Sequence, residues 1–302
     1  MKAEYLTEEI KRLKAEKNAV ILAHYYQEDE IQALADFVGD SLALAQKASE
    51  LKAPLIVMCG VIFMAETVKL LCPNSKVLLL DQRSDCFLAD SCQYEALKAE
   101  KEKYPDHLVV SYVNTSTLVK TLTDIVVTSS NAVKIVQNIP ANQPILFGPD
   151  KNLGRYIKTL TGRENMRIWN GSCFIHDQAD IDELMVLKKK YPNAVVLAHP
   201  ECNEKVVENA DFVGSTKALI EYVKNADSQQ FIVSTEPGVI YQMKQSKPDA
   251  QYFPIVGYCE YMRLNTLEKL YSTLLNEEFE VTLDADIAKM ALRPIEKMLE
   301  MS

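Results

Sequence analysis

The chain repeats one pattern three times, and any fold it adopts must accommodate that. Three segments align without a gap: AVILAHYYQEDEIQALADFVGDSLALAQKA from Ala19, HLVVSYVNTSTLVKTLTDIVVTSSNAVKIV from His107 and AVVLAHPECNEKVVENADFVGSTKALIEYV from Ala194. Their offsets are 88 and 87 residues. His24, Tyr112 and His199 each precede an aspartate (Asp36, Asp124, Asp211) by twelve residues. Tyr26, Asn114 and Glu201 share the address two residues on, and Ser41, Ser129 and Thr216 follow the aspartates by five. A repeat of this length signals one supersecondary unit used several times.

Each copy reads as an α/β unit. The β-branched runs AVILA, LVVSY and AVVLA suit buried parallel strands. A polar turn, an amphipathic helix and a short second strand follow. A Ser or Thr then opens another helix, where its oxygen can accept from free N–H groups of the first turn. APLIVMCG, QPILFGPD and QQFIVSTEPG read as third strands, and KVLLLD, MRIWNG and YFPIVG as fourth strands. Alternating strands and helices imply parallel sheets covered on both faces. The expectation is therefore an α/β protein of three homologous three-layer αβα domains around a pseudo-threefold axis, with the active site at the central junction. The domains are expected at residues 1–85, 86–172 and 173–260, and two C-terminal helices in 261–302 are expected to pack back on the first.

A cysteine follows each fourth strand. Cys86, Cys173 and Cys259 stand 87 and 86 residues apart, while Cys59, Cys72, Cys92 and Cys202 have no equivalent partners. Ligands of open α/β sheets sit beyond the carboxyl ends of the strands. Three units around one axis would bring the three cysteines together there. They would bring with them the ends of the first strands, the loops after the third and three helix N-termini that suit anions. Spacing alone leaves three readings open. The cysteines hold an iron–sulfur cluster, or hold zinc, or fill equivalent core positions left by duplication. The hydroxyls of Ser41, Ser129 and Thr216 are either anion contacts or plain helix caps. His176, three residues after Cys173, reads as a neighbour of the metal site or a capping residue, and His107 as surface.

Composition narrows the function classes. The formal net charge of −9 argues against broad nucleic-acid binding, which needs a basic face. No apolar run approaches the ~20 residues of a membrane span. The N-terminal segment lacks a signal-peptide pattern, so a cytoplasmic location is expected. Seven cysteines without a CxxC pair argue against a disulfide framework or a zinc ribbon. GxGxxG and GxxxxGK[ST] are absent, which removes the common nucleotide-cradling motifs.

The segments HYYQEDEIQALADFVGDSLALA, CGVIFMAETVKLLCP, DCFLAD, YVNTSTLVKTLTDIVVTSSNAVKIV, WNGSCFIH, AHPECNEKVVENADFVGST and the STEPG…C…M tail resemble the quinolinate synthase family over about residues 19–263. The family often has CxMAD where this chain has CFLAD, a departure that leaves the cysteine in place. The resemblance implies condensation of iminosuccinate with dihydroxyacetone phosphate to quinolinate, phosphate and two waters, for NAD biosynthesis. It implies a [4Fe–4S] cluster on Cys86, Cys173 and Cys259, with one iron left open to act on substrate. Substrate contacts fall on His24, Tyr26, Ser41, Tyr112, Asn114, Ser129, His199, Glu201 and Thr216. Tyr26 and Glu201 are expected in proton transfer, and Tyr112 and His199 in positioning and polarising the substrate. An aspartate oxidase or dehydrogenase would supply iminosuccinate. The alternatives are another [4Fe–4S] hydro-lyase acting on a small hydroxy acid and a non-enzymatic iron–sulfur sensor, although a carrier cluster usually has four protein ligands.

Overall fold

The computed structural model describes residues 2–302, so Met1 of the expected domain 1–85 lies outside the described residues. Among the described residues, twelve strands form three four-stranded parallel sheets. The first holds β1 (Ala19–His24), β2 (Phe37–Gly39), β3 (Leu55–Cys59) and β4 (Lys76–Leu79). The second holds β5 (Leu108–Tyr112), β6 (Ile125–Val127), β7 (Ile145–Gly148) and β8 (Met166–Ile168). The third holds β9 (Val195–Ala198), β10 (Phe212–Val213), β11 (Gln230–Ser234) and β12 (Gln251–Pro254). Each sheet has the order second, first, third, fourth strand. Helices connect the strands, so the expected three αβα units are what the chain forms.

Strand alternation assigns the two faces of each sheet. Leu22, Val110 and Leu197 lie in one common apolar core shared by all three repeats. Their neighbours Ile21 and Ala23, Val109, and Val196 and Ala198 lie in three separate outer cores. Each buried Val, Leu or Ile among them contributes roughly 1.5–3 kcal/mol. The same parity carries His24, Tyr112 and His199 toward the shared centre.

The repeat aspartates explain themselves here. Asp36 Oδ2 accepts from the Ile21 N–H at 2.8 Å, and the Asp36 N–H donates back to the Ile21 carbonyl at 2.9 Å. Asp124 makes the same pair of bonds with Val109, and Asp211 with Val196. The clamp fixes the entry of the second strand against the first in every copy.

Three helices precede the first strands: Lys2–Glu16, Tyr94–Lys103 and Ile181–Lys190. The structural unit thus begins before the aligned sequence segment. The C-terminal tail divides. Helix Leu267–Asn276 packs on helices Lys2–Glu16 and Asp29–Leu34 of the first repeat. The chain then lies along the edge of β4, where the Leu79 N–H donates to the Phe279 carbonyl at 3.1 Å and the Val281 N–H to the Val77 carbonyl at 2.8 Å, covering a strand edge that would otherwise stay open. Helix Ala285–Met301 reaches beyond the first repeat, to β6 and helix Thr117–Lys120 as well as helix Ile62–Leu71. It does so because its stripe of Ala291, Ile295 and Met298 completes the common core between the first two repeats. Among the described residues no helix is long and apolar enough to cross a membrane.

Candidate active site

All twelve site residues singled out from the sequence line one cavity at the junction of the three sheets. The first-strand ends supply His24, Tyr26, Tyr112, Asn114, His199 and Glu201. His24 Nδ1 accepts the Tyr26 N–H at 3.2 Å, and His199 Nδ1 accepts the Glu201 N–H at 3.4 Å, the same bond in two copies. These acceptors fix the tautomer with hydrogen on Nε2. Nε2 of His199 then lies 3.2 Å from Ser129 Oγ of the second repeat. Burial pushes both His24 and His199 down, to about 3, so both are neutral at physiological pH.

The hydroxyl residues do not cap their helices. In helix Ser41–Glu50 the capping side chain is Asp40, which accepts from the Ala43 N–H. In helix Thr216–Asn225 it is Ser215, which accepts from the Ala218 N–H. Ser41 and Thr216 are first helical residues whose side chains face the cavity. Ser129 sits in a turn ahead of helix Ala132–Asn138 rather than opening it, because Asn131 Oδ1 ties the turn back to the Thr128 N–H at 2.7 Å.

A chain of hydrogen bonds crosses the site. Tyr26 Oη lies 3.0 Å from Thr216 Oγ1 and 2.8 Å from Thr235 Oγ1. Thr235 Oγ1 lies 2.9 Å from His176 Nε2, and His176 Nδ1 lies 2.9 Å from Glu201 Oε2 and 3.2 Å from Cys173 Sγ. Burial opposes ionisation of Glu201, but its contacts with His199, His176 and the Tyr112 phenol outweigh it and hold the carboxyl below its ordinary value. Burial and the Glu201 charge push the Tyr26 and Tyr112 phenols well above their ordinary value. The site therefore pairs an ionised carboxylate with two neutral phenols and two neutral imidazoles.

Cys86, Cys173 and Cys259 line the same cavity, and each immediately precedes a short helix: Phe87–Asp90, Phe174–Asp177 and Glu260–Arg263. Backbone N–H groups of these turns face the sulfurs and favour thiolate. Each cysteine N–H donates to a carboxylate, of Asp85 at 2.8 Å, Asp150 at 3.0 Å and Glu236 at 3.3 Å. Burial nevertheless pushes all three thiols up, Cys86 to about 12. Three thiols gathered at one cavity suit a bound metal centre, whose own charge would remove their protons. Among the described residues, the group whose ligand atoms all fall within 4.8 Å of one another is Cys173, His176 and Glu201, not the three cysteines. One zinc ion would need its sulfurs roughly 4 Å apart, as tetrahedral bonds of ~2.3 Å dictate. The three cysteine sulfurs do not form a set that close.

The other four cysteines do not line the cavity. All four are buried; Cys72 donates to the Ala48 carbonyl and Cys202 lies against Ser234. Sequence reasoning did not select Asp150, Thr235 or Glu236. A signal existed, since they occupy equivalent loops after the third strands, but the residue types there differ between copies.

A buried cavity lined by acid–base side chains and thiols from three repeats is that of an enzyme acting on a small molecule. Residues 8–300 match the family model of quinolinate synthetase A protein. The chain is 52% identical over 300 residues to the quinolinate synthase of Nostoc punctiforme, covering 97% of this chain and 92% of that one. It is 50% identical over 301 residues to that of Thermosynechococcus vestitus, covering 97% and 94%. The chain belongs to the quinolinate synthase family.

Proposed function

We propose that this chain condenses iminosuccinate with dihydroxyacetone phosphate to give quinolinate, phosphate and two waters in NAD biosynthesis, using a [4Fe–4S] cluster on Cys86, Cys173 and Cys259. The observation that carries the proposal is the meeting of these three thiols with the Tyr26–Thr235–His176–Glu201 chain in one cavity. When bound, the cluster would supply a Lewis acid, an iron without a protein ligand, for loss of hydroxyl.

The chain's own residues account for binding and proton traffic. The Ser41 and Thr216 hydroxyls stand at helix starts, where free N–H groups and the helix dipole favour carboxylate or phosphate. Ser129, oriented by His199, offers a third hydroxyl. Glu201, ionised, accepts protons as carbon–carbon and carbon–nitrogen bonds form, and the phenols of Tyr26 and Tyr112, neutral, donate. Thr235 and His176 connect the two ends, so a proton taken at Glu201 can be returned near Tyr26. Tyr112 and His199 orient the substrate, with His24 and Asn114 completing the contacts. Iminosuccinate comes from an aspartate oxidase or dehydrogenase. Seven free thiols suit a reducing, cytoplasmic setting.

The test is anaerobic reconstitution followed by iron and sulfide counting and a quinolinate assay with iminosuccinate generated in situ. The expected result is about four irons and four sulfides per chain, as a [4Fe–4S] centre requires, and turnover that depends on dihydroxyacetone phosphate. Stoichiometric zinc, or turnover of a hydroxy acid without the phosphate substrate, would overturn it.

A further inference from the structure

The two substrates of the proposed reaction carry two carboxylates and a phosphate. Yet none of the described residues lining the cavity is Lys or Arg, while Asp40, Asp85, Glu201 and Glu236 are among them. One lysine stands directly behind the wall. Lys120 is 0% exposed. Its ammonium donates to the Val113 carbonyl at 2.9 Å and to the Thr115 carbonyl by a shorter contact. It also lies 5.8 Å from the ring centre of Phe63, a residue of the cavity lining.

The two carbonyls flank Asn114. Thr115 Oγ1 donates to the Tyr112 carbonyl at 3.2 Å and tightens the same turn. Asn114 faces the cavity, and its Oδ1 is buried with no partner. A buried acceptor without a donor is costly unless a ligand supplies one. Burying an ammonium is also costly, and two carbonyls, a ring face and the charge of the nearby Glu66 carboxylate offset only part of it, since burial still holds the ammonium below its ordinary value. A neutral donor could tie two carbonyls together. A full charge in that position makes sense when negative charge arrives on the other side of the wall.

We propose that Lys120 is a positioning residue for the condensation: it clamps the turn from Tyr112 to Thr115 so that Asn114 Oδ1 meets a donor on the substrate, and it sets a buried positive charge behind a wall that faces a polyanion. The inference rests on the reaction proposed above. Burial pushes the Lys120 ammonium down, to about 8, which still leaves it mostly charged at neutral pH.

A double-mutant cycle on the anaerobically reconstituted enzyme tests it, with Lys120→Met, Asn114→Ala and both together. The readouts are kcat, KM for each substrate, iron per chain and melting temperature. Lys120→Met is expected to lower kcat/KM about tenfold or more, as loss of a charge-assisted contact does, with KM raised and iron retained. If the lysine acts through Asn114, the double variant falls no further than about twofold below the worse single variant. Kinetics of Lys120→Met within about twofold of wild type, or losses that simply multiply, would overturn the proposal. Should the Met variant fail to fold, Lys120→Gln, which keeps an N–H donor for the carbonyls and removes the charge, is expected to raise KM and lower kcat/KM with iron retained, and kinetics within about twofold of wild type would overturn the assignment of a buried positive charge to this position. A wild-type sample that makes no quinolinate would overturn the underlying reaction instead, so the two failures are distinct.

Discussion

Acidification probes the electrostatics of the site through His24. Its ring is buried, and Nδ1 already accepts the Tyr26 N–H at 3.2 Å, so protonation must both charge a dry site and break a bond. Burial first, and His199 second, push its pKa down to about 3 despite the Glu201 charge. In the unfolded chain the ring titrates near its ordinary value of about 6.5. As pH falls below that value the unfolded state binds the proton and the folded state does not. Stability is therefore complete above about pH 7 and declines as pH falls toward the folded value. The penalty from this one group is about 0.8 kcal/mol at pH 6 and about 2 kcal/mol at pH 5. Urea unfolding of the metal-free protein from pH 5 to 8 measures it, with wild type and His24→Asn in parallel. The asparagine oxygen keeps an acceptor for the Tyr26 N–H and does not titrate. Between pH 7.5 and pH 5 the variant should gain about 2 kcal/mol relative to wild type. Parallel curves across that range would refute the claim that His24 is held neutral.

Other variants separate chemistry from scaffold. Glu201→Gln keeps the shape and removes the charge; kcat should fall roughly 10²–10⁴-fold, the usual worth of a general base, while iron per chain stays at the wild-type level. Thr235→Val breaks the link between Tyr26 and His176, and kcat should fall about tenfold, the cost of one hydrogen bond in a proton path, with the KM values little changed. Asp211→Ala removes a strand clamp far from the chemistry; it should cost about 1–3 kcal/mol of unfolding free energy and leave both KM values alone, as denaturation and steady-state kinetics would show.

Much of this site was legible because duplication left matching addresses. His24, Tyr112 and His199 could be found from spacing, and period-two alternation already placed Tyr26, Asn114 and Glu201 on their side of the chain. The cysteines were legible for the same reason. Helices Tyr94–Lys103 and Ile181–Lys190 were not, because each offers one buried leucine, Leu97 or Leu184, and the second scatters Met185 and Val186 on its exposed face, which blurs the apolar stripe. Aspartate at the strand clamps was visible as a repeated letter, but its job needed the backbone pairing of β1, β5 and β9. The capping role expected of Ser41 and Thr216 went instead to the residue before each, since Asp40 and Ser215 have the extended backbone that a cap requires. Lys120 was hidden because its importance lies in which loop it touches, and no periodicity encodes that; Thr235 and Glu236 follow a third strand, an address that repeats with other residue types in the other copies.

The division between what repeats and what does not is itself informative. Scaffold features recur unchanged: strand order, the aspartate clamp and a cysteine ahead of a short helix. Three equal cysteine positions suit a cluster, which presents equivalent irons to its ligands. The lining departs from symmetry at the addresses that face the cavity. Tyr26, Asn114 and Glu201 occupy one address with a phenol, an amide and a carboxylate. A symmetric site could not tell a carboxylate end from a phosphate end, or remove a proton at one atom and add it at another. Glu201 is the residue on which the asymmetry turns. It gathers His176, His199 and Tyr112 around one ionised carboxylate, and the equivalent positions in the other copies could not do so. A phenol at position 26 or an amide at position 114 holds no charge there to gather them. Exchanging Glu201 and Asn114 would keep the composition of the cavity and move its one strongly held charge to the wrong repeat. On this reasoning the exchanged enzyme retains iron and loses turnover.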